Sequence, residues 1–241
     1  MAIYMAVGFF LYRASFVTKQ GCKELGSLLL YIILPAAILN SYCVERTPEK
    51  ISDLAFSMAA AFFALLLSML ISALLFPREK IERFGIAFSN AGFMGIPIVS
   101  AVLGSEAVFY VSSFVALLNI FQWTYGVAIM TDSLDCIQIR KLAKNPILIS
   151  MAGGLILFFT QLPLPDVVTQ SLSSLAGLNA PMAMIILGIY LAQTDLKRIF
   201  IQRRFYWASA VRLLIIPAVT GLFLMVFPTQ PSIRLAVLIA A

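Results

Sequence analysis

Long runs of apolar residues alternate along this chain with short segments that hold the charged residues. Leu54–Phe76 spans 23 residues and Val108–Thr131 spans 24, and neither run contains a charged side chain. A helix needs about 20 such residues to cross the hydrocarbon core of a bilayer, whereas barrel strands alternate in polarity over about 10 residues. The pattern therefore predicts an all-α membrane protein with nine spans: Ala2–Leu11, Leu25–Val44, Leu54–Phe76, Phe84–Leu103, Val108–Thr131, Pro146–Thr160, Val167–Ala192, Phe205–Phe227 and Ser232–Ala241.

The composition supports a membrane protein and argues against an enzyme. Hydrophobic residues make up 61% of the chain and charged residues 12%, against about 25% charged in soluble domains. The sequence has no histidine, three cysteines without a CxxC pair, no GxSxG and no P-loop. It therefore predicts no catalytic residues, no metal site, no bound cofactor and no ATP-driven transport.

The basic residues give the chain an orientation. The formal net charge is +6, but the basic side chains lie in loops between spans, which argues for membrane topology and against nucleic acid. By the positive-inside rule, the loops after odd-numbered spans are cytoplasmic and the N-terminus is outside. Those loops hold thirteen of the 17 basic residues: Arg13, Lys19, Lys23, Arg78, Lys80, Arg83, Arg140, Lys141, Lys144, Lys197, Arg198, Arg203 and Arg204.

The order of features repeats once along the chain. Gly8 lies 27 residues before Pro35, and Gly154 lies 27 residues before Pro181. A repeat with five spans must enter the membrane upside down in its second copy, which is typical of secondary transporters. We expect a first five-helix repeat at 1–131, a cytoplasmic link at 132–145 and a second repeat at 146–241. The second copy is incomplete: about 40 further residues would be needed after Ala241 by the same comparison.

The fourth span is interrupted near its middle by the stretch SNAGFMGIP. Proline removes a backbone donor, and the glycines permit unwound backbone. Such backbone at mid-membrane depth must be buried in protein or line a wet cavity, and the N–H groups of a second half-helix beginning near Ile98 would attract an anion. The alternative is a proline kink with small residues for close packing. We predict a substrate site formed by Asn90, Gly92, Phe93, Gly95, Pro97 and Ile98.

Four other residues are candidates for the transport path or its gating: Pro35, Asn179, Pro181 and Arg212. The prolines kink spans two and seven at matched positions, and the same residues could instead serve packing. Arg212 lies inside the eighth span, where a cation is a functional candidate, although its side chain could also reach the cytoplasmic interface. No acidic residue lies inside a span, so no proton relay is evident and coupling to protons or sodium stays open.

At this point the residues resemble a known family. NAGFMGIP resembles the interrupted fourth helix of the auxin efflux carrier family, which includes plant PIN proteins and bacterial relatives. LLLYIILPAAIL, NPILIS (Asn145–Ser150) and PMAMIILGIYLA (Pro181–Ala192) are similar to that family's second, sixth and seventh spans. The long cytoplasmic loop of many plant members is missing, so the chain resembles the bacterial ones, and the second crossover helix would lie beyond Ala241.

The resemblance implies ten spans in two inverted repeats, with crossover helices at spans four and nine that meet at a central site. It implies an elevator-like motion of spans 3–5 and 8–10 against spans 1, 2, 6 and 7. It also implies that Asn90 contacts a carboxylate substrate.

From these observations we predict a multi-pass permease of the bacterial inner membrane that carries small organic anions such as malate or malonate, and that forms a homodimer. One alternative is a sodium-coupled symporter of the related bile-acid type. The other, from a different class, is a non-transporting membrane sensor or scaffold with the same fold.

Overall fold

The described part of the protein is built from helices. The structure, a computed structural model, describes residues 1–131, 133, 144–194, 203–225 and 230–241, so most of the predicted link at 132–145 lies outside it. These residues contain no strand, and six of their helices are long and apolar enough to cross a membrane. The predicted all-α, multi-pass architecture is thereby confirmed. The helices are α1 (Ala2–Arg13), α2 (Lys19–Tyr42), α3 (Pro48–Leu75), α4 (Lys80–Leu103), α5 (Ala107–Thr131), α6 (Pro146–Thr160), α7 (Asp166–Gln193), α8 (Arg204–Met225) and α9 (Pro231–Ala240).

Side-chain caps fix where several helices begin. Thr47 Oγ1 accepts a hydrogen bond of 3.2 Å from the backbone N–H of Lys50, and Pro48 occupies the first turn of α3. Asn145 Oδ1 does the same for Ile147 at the start of α6. A capping oxygen satisfies a backbone N–H that has no partner inside the helix, and proline tolerates the first turn because its missing donor is not needed there.

Three helices widen into a single π-helical turn just before a proline. These turns are Leu29–Ile33 before Pro35, Ala91–Gly95 before Pro97 and Val211–Ile215 before Pro217. A proline cannot donate to the carbonyl four residues earlier, and its ring clashes there. The wider turn inserts one extra residue, so the backbone passes the proline without ending the helix.

Helices α1, α2, α6 and α7 form one packed group, which we call the scaffold group. Helix α1 packs along the second half of α7, and α6 packs along the second half of α2. A methyl group added at Gly8 would overlap the carbonyl of Ile185, and one added at Gly188 would overlap the carbonyl of Met5. Glycine at both positions lets the two backbones touch, as at small-residue contacts between membrane helices.

The two crossings in the scaffold group correspond to each other in sequence. At the second crossing, a methyl group at Gly154 of α6 would clash with the ring of Tyr42 on α2. Gly8 and Gly154 are separated by 146 residues, and so are Tyr42 and Gly188. A shift of 146 residues therefore relates the contact of α1 with α7 to the contact of α6 with α2. The inverted repeat stays a prediction, and this correspondence supports it.

A set of hydrogen bonds, which we call the Arg46 clamp, also joins two helix ends of the scaffold group. Arg46, in the loop after α2, donates from Nη1 to the carbonyl of Phe159 at 2.8 Å. Gln161, which follows α6 in a left-handed conformation (φ 51°), accepts from the Arg46 N–H at 3.2 Å and donates to the carbonyl of Val44 at 3.2 Å. These bonds hold the ends of α2 and α6 together.

Helices α3, α4, α5, α8 and α9 form the second group, which we call the crossover group. Helix α3 packs on α5 and on the first half of α4, and α9 packs on α5 and on the second half of α4. The inner face of α3 carries small residues such as Ser57, Ala60, Ala61 and Ala64, all at most 2% exposed. Small side chains let α3 and α5 approach closely, which is a common basis of packing in membranes.

Candidate functional site

The second half of α4 begins seven residues before the predicted position near Ile98. The first half ends at Ala87, Phe88 is extended (φ −119°, ψ 122°), and Asn90 has φ −93° and ψ 53°. The second half begins with the π turn at Ala91. Our expectation that it begins near Ile98 is therefore wrong, because the wide turn carries the helix past Pro97.

The shifted break changes which backbone groups face the interruption. The first N–H groups of a helix have no acceptor inside it and carry its positive dipole end. In α4 these are the N–H groups at the start of the Ala91–Gly95 turn. Farther along that turn, the N–H groups of Met94 and Gly95 both donate to the carbonyl of Asn90, at 2.9 and 3.4 Å.

The predicted site residues fall into three different surroundings. Pro97 is buried and lines a cavity, whereas Asn90 is exposed and lies outside that cavity. Gly92 faces Leu34 of α2, and Phe93 packs in a cluster with residues of α2 and α7. Gly95 lies against Ala91 and against Ala240 of α9. The segment thus joins the crossover group to the scaffold group, and Ile98 is only half-buried beside it.

The cavity beside Pro97 lies between the two groups. Its volume is about 260 Å³. Among the described residues no charged side chain lines it, but several hydroxyl and amide groups do. Its lining residues come from α2, α4, α5 and α7 and the turn before α5: Ala37, Asn40, Ser41, Ile96, Pro97, Ser100, Ser105, Val108, Ser173, Ala176, Gly177, Asn179 and Ala180. The serines of this lining were not predicted as site residues, because serine also occurs widely at helix contacts in membranes.

Asn179 is the most constrained polar group in this cavity. Its side chain is only 3% exposed, and no donor among the described residues reaches its Oδ1. A buried amide oxygen without a partner is costly, and such a group in a native site calls for an explanation. A ligand donor or a water in the cavity would satisfy it. Pro35 and Pro181 are half-buried and lie just outside the lining, next to residues that belong to it.

Helix α9 meets α4 at the interruption. Ser89 Oγ donates to the carbonyl of Ala240 at 2.6 Å, and Gly95 has the Cα of Ala240 among its nearest neighbours. Ser89 was not predicted as a site residue. Its position one residue before Asn90 places it in the extended segment that α9 contacts.

The side chain of Arg212 binds backbone oxygens of neighbouring helices. Its Nη1 donates to the carbonyl of Ile86 at 2.9 Å, and its Nη2 donates to the carbonyl of Ala241. The guanidinium therefore binds backbone at the carbonyl side of the α4 interruption, away from the cavity beside Pro97. Within the described part of the chain, no three metal-binding side chains come together.

Comparison with known proteins agrees with this architecture. The chain is 27% identical over 192 residues to a protein of Rhizobium meliloti titled "Putative malonate transporter", an alignment that covers 73% of this chain and 59% of that protein. It is 25% identical over 211 residues to an uncharacterized transporter of Methanocaldococcus jannaschii, with 81% of this chain and 68% of that protein covered. The chain thus spans about three fifths of the first relative. The family model described as "Membrane transport protein" matches residues 2–241, and the chain therefore belongs to this family of membrane transporters.

Proposed function

We propose that this transporter carries small organic anions by moving the crossover group against the scaffold group. The packing supports two rigid units. In the scaffold group, backbone touches backbone at Gly8 and Gly188, and the Arg46 clamp ties its outer ends. Contacts between the groups are sparser, and the cavity beside Pro97 lies at that boundary.

The observation that carries the proposal is the interrupted α4 at the boundary between the groups. Its second half presents unbonded N–H groups and a positive dipole end, which favour an anion without any charged side chain. The neighbouring cavity is lined by hydroxyl and amide groups that can donate hydrogen bonds to an anion, among them those of Asn40, Ser100 and Asn179. Asn90 sits at the start of this half-helix and would bind a carboxylate through its amide N–H.

The size and lining of the cavity favour a small polar acid. Its volume of about 260 Å³ is slightly below the about 300–1,000 Å³ of ordinary ligand sites. The name of the Rhizobium relative mentions malonate, so a short dicarboxylate is the first substrate to test. The distribution of basic loops supports an N-terminus outside the bacterial inner membrane, and a homodimer remains part of the proposal.

Uptake of labelled malonate into proteoliposomes holding the full-length protein tests this function. We expect Asn90→Ala and Asn179→Ala each to lower the uptake rate by about 10-fold to 100-fold, the effect of losing a hydrogen bond to a charged ligand. Gln170→Ala, an exposed change on α7 outside the cavity lining, is the matched control and should transport normally.

Two results would contradict the proposal. Unchanged uptake in both asparagine variants would show that these residues do not bind the substrate. An absence of uptake for every small organic acid tried, by a folded protein, would favour the sensor or scaffold alternative.

A further inference from the structure

Arg212 lies deep in α8, at a specialised turn. It follows Arg204 by eight residues, which places it about 12 Å farther along the helix. It belongs to the π turn Val211–Ile215, and it is half-buried. A charge at this depth is costly unless it is paired. Among the described residues, its Nη1 donates to the backbone carbonyl of Ile86.

The carbonyl of Ile86 lacks a helical partner because α4 is interrupted. In a continuous helix it would accept from the N–H of Asn90, four residues later. The first half of α4 ends at Ala87 instead, so the Ile86 carbonyl is one of its unpaired groups at the negative dipole end. A carbonyl at the negative end of a helix favours a cationic partner, and Ile86 and Arg212 line the same pocket, together with Glu82.

Carbonyl ends of broken helices are where transporters of this general type hold a coupling sodium ion. Sodium there would be coordinated by carbonyl oxygens, and its positive charge would offset the helix dipole. The guanidinium of Arg212 likewise binds a carbonyl oxygen and carries a positive charge that offsets the helix dipole. It donates to the carbonyl of Ile86, so it joins α8 to α4 at this point.

We propose that Arg212 is a built-in cation that takes the place of a coupling sodium ion at the carbonyl end of the α4 interruption. Transport then requires no sodium at this point. Removing the side chain leaves a carbonyl site that an added cation can fill. This inference rests on the proposed transport function for its uptake assay, and its binding assay stands independently.

The binding assay compares thermal unfolding of the purified protein with and without millimolar guanidinium, sodium or potassium. We expect Arg212→Ala to unfold at a lower temperature than Arg204→Ala, which removes the same charge from an exposed position of the same helix. Guanidinium or sodium should raise the unfolding temperature of Arg212→Ala and leave the Arg204→Ala variant and the unmodified protein unchanged.

The uptake assay compares sodium with potassium in the same proteoliposomes. The unmodified protein should transport at the same rate in either salt. Arg212→Gln keeps hydrogen-bond donors without the charge, and it should lose about tenfold or more in potassium and recover in sodium or guanidinium. Arg212→Lys keeps a charge, and it should transport without sodium.

The outcomes separate the two proposals. Sodium-dependent uptake by the unmodified protein would overturn the role of Arg212. So would equal unfolding temperatures for Arg212→Ala and Arg204→Ala, or a loss that no cation restores. If Arg212→Ala does not fold, the uptake rates of Arg212→Gln and Arg212→Lys in potassium and in sodium test the role of Arg212. If no variant transports but guanidinium stabilises Arg212→Ala, the cation site stands and the transport proposal fails.

Discussion

The contact between Gly8 of α1 and Gly188 of α7 makes a sharp prediction about stability. A methyl group at either position would overlap a backbone carbonyl, of Ile185 or of Met5. A carbonyl cannot rotate away as a flexible side chain can, so the two helices must move apart. Overpacking of this kind costs about 1–3 kcal/mol, and we expect Gly8→Ala and Gly188→Ala each to lower the free energy of unfolding by that amount.

The double variant tests whether both residues report on one contact. Once the first methyl group separates the helices, the second meets less resistance. The double variant should therefore lose less stability than the sum of the two single losses. Gly85→Ala is the matched control. Gly85 lies in the first half of α4, where an added methyl group would meet nothing within 4 Å, and alanine should stabilise that helix by about 0.5–1 kcal/mol.

Thermal unfolding in detergent measures these changes. About 2–4 °C per kcal/mol is expected for a chain of this size, so each glycine variant should unfold about 2–12 °C lower. If Gly8→Ala and Gly85→Ala unfolded at the same temperature, the backbone contact between α1 and α7 would not exist as described. Fully additive costs in the double variant would mean that the two positions do not share one contact.

Two further changes test contacts at the end of α2 and in the loop that follows it. Tyr42→Phe removes the hydroxyl that accepts from Ser112 Oγ at 2.8 Å, and should lower the free energy of unfolding by about 0.5–1.5 kcal/mol; chemical denaturation measures this, and an equal loss in Tyr31→Phe, at a side chain 66% exposed, would contradict it. Arg46→Ala removes the bond to the Phe159 carbonyl and should lower the free energy of unfolding by about 0.5–1 kcal/mol. It should also speed hydrogen exchange at the C-terminal ends of α2 and α6, and unchanged exchange there would show that the clamp does not hold them.

The helices were predictable from sequence because membrane insertion depends on long apolar runs. The predicted span Pro146–Thr160 is also the observed helix α6, since Asn145 and Pro146 mark its start on the chain itself. Other boundaries moved: α2 begins at Lys19, six residues before the predicted start of its span. A polar, capped turn extends that helix beyond its apolar run, and hydropathy alone does not detect such turns.

The details of the candidate site depended on tertiary structure. Proline and glycine locate the interruption of α4 only to within a few residues, because the π turn, not the proline, decides where the second half begins. The side chain of Arg212 could have reached either the interface or the interior. The nearby carbonyl of Ile86 selects the interior, and that carbonyl is 126 residues away in sequence.

The single extra residue in each π turn has a consequence for how these helices present their faces. Each residue of an α-helix rotates the chain by about 100°, so one additional residue turns every later side chain by that angle. In α4, the residues after Gly95 therefore face a different direction from the one that a continuous helical wheel would assign. An insertion or deletion of one residue within Ala91–Gly95 would exchange the side chains that face the cavity for those that face α5 and α9, while leaving the length and hydropathy of the span almost unchanged.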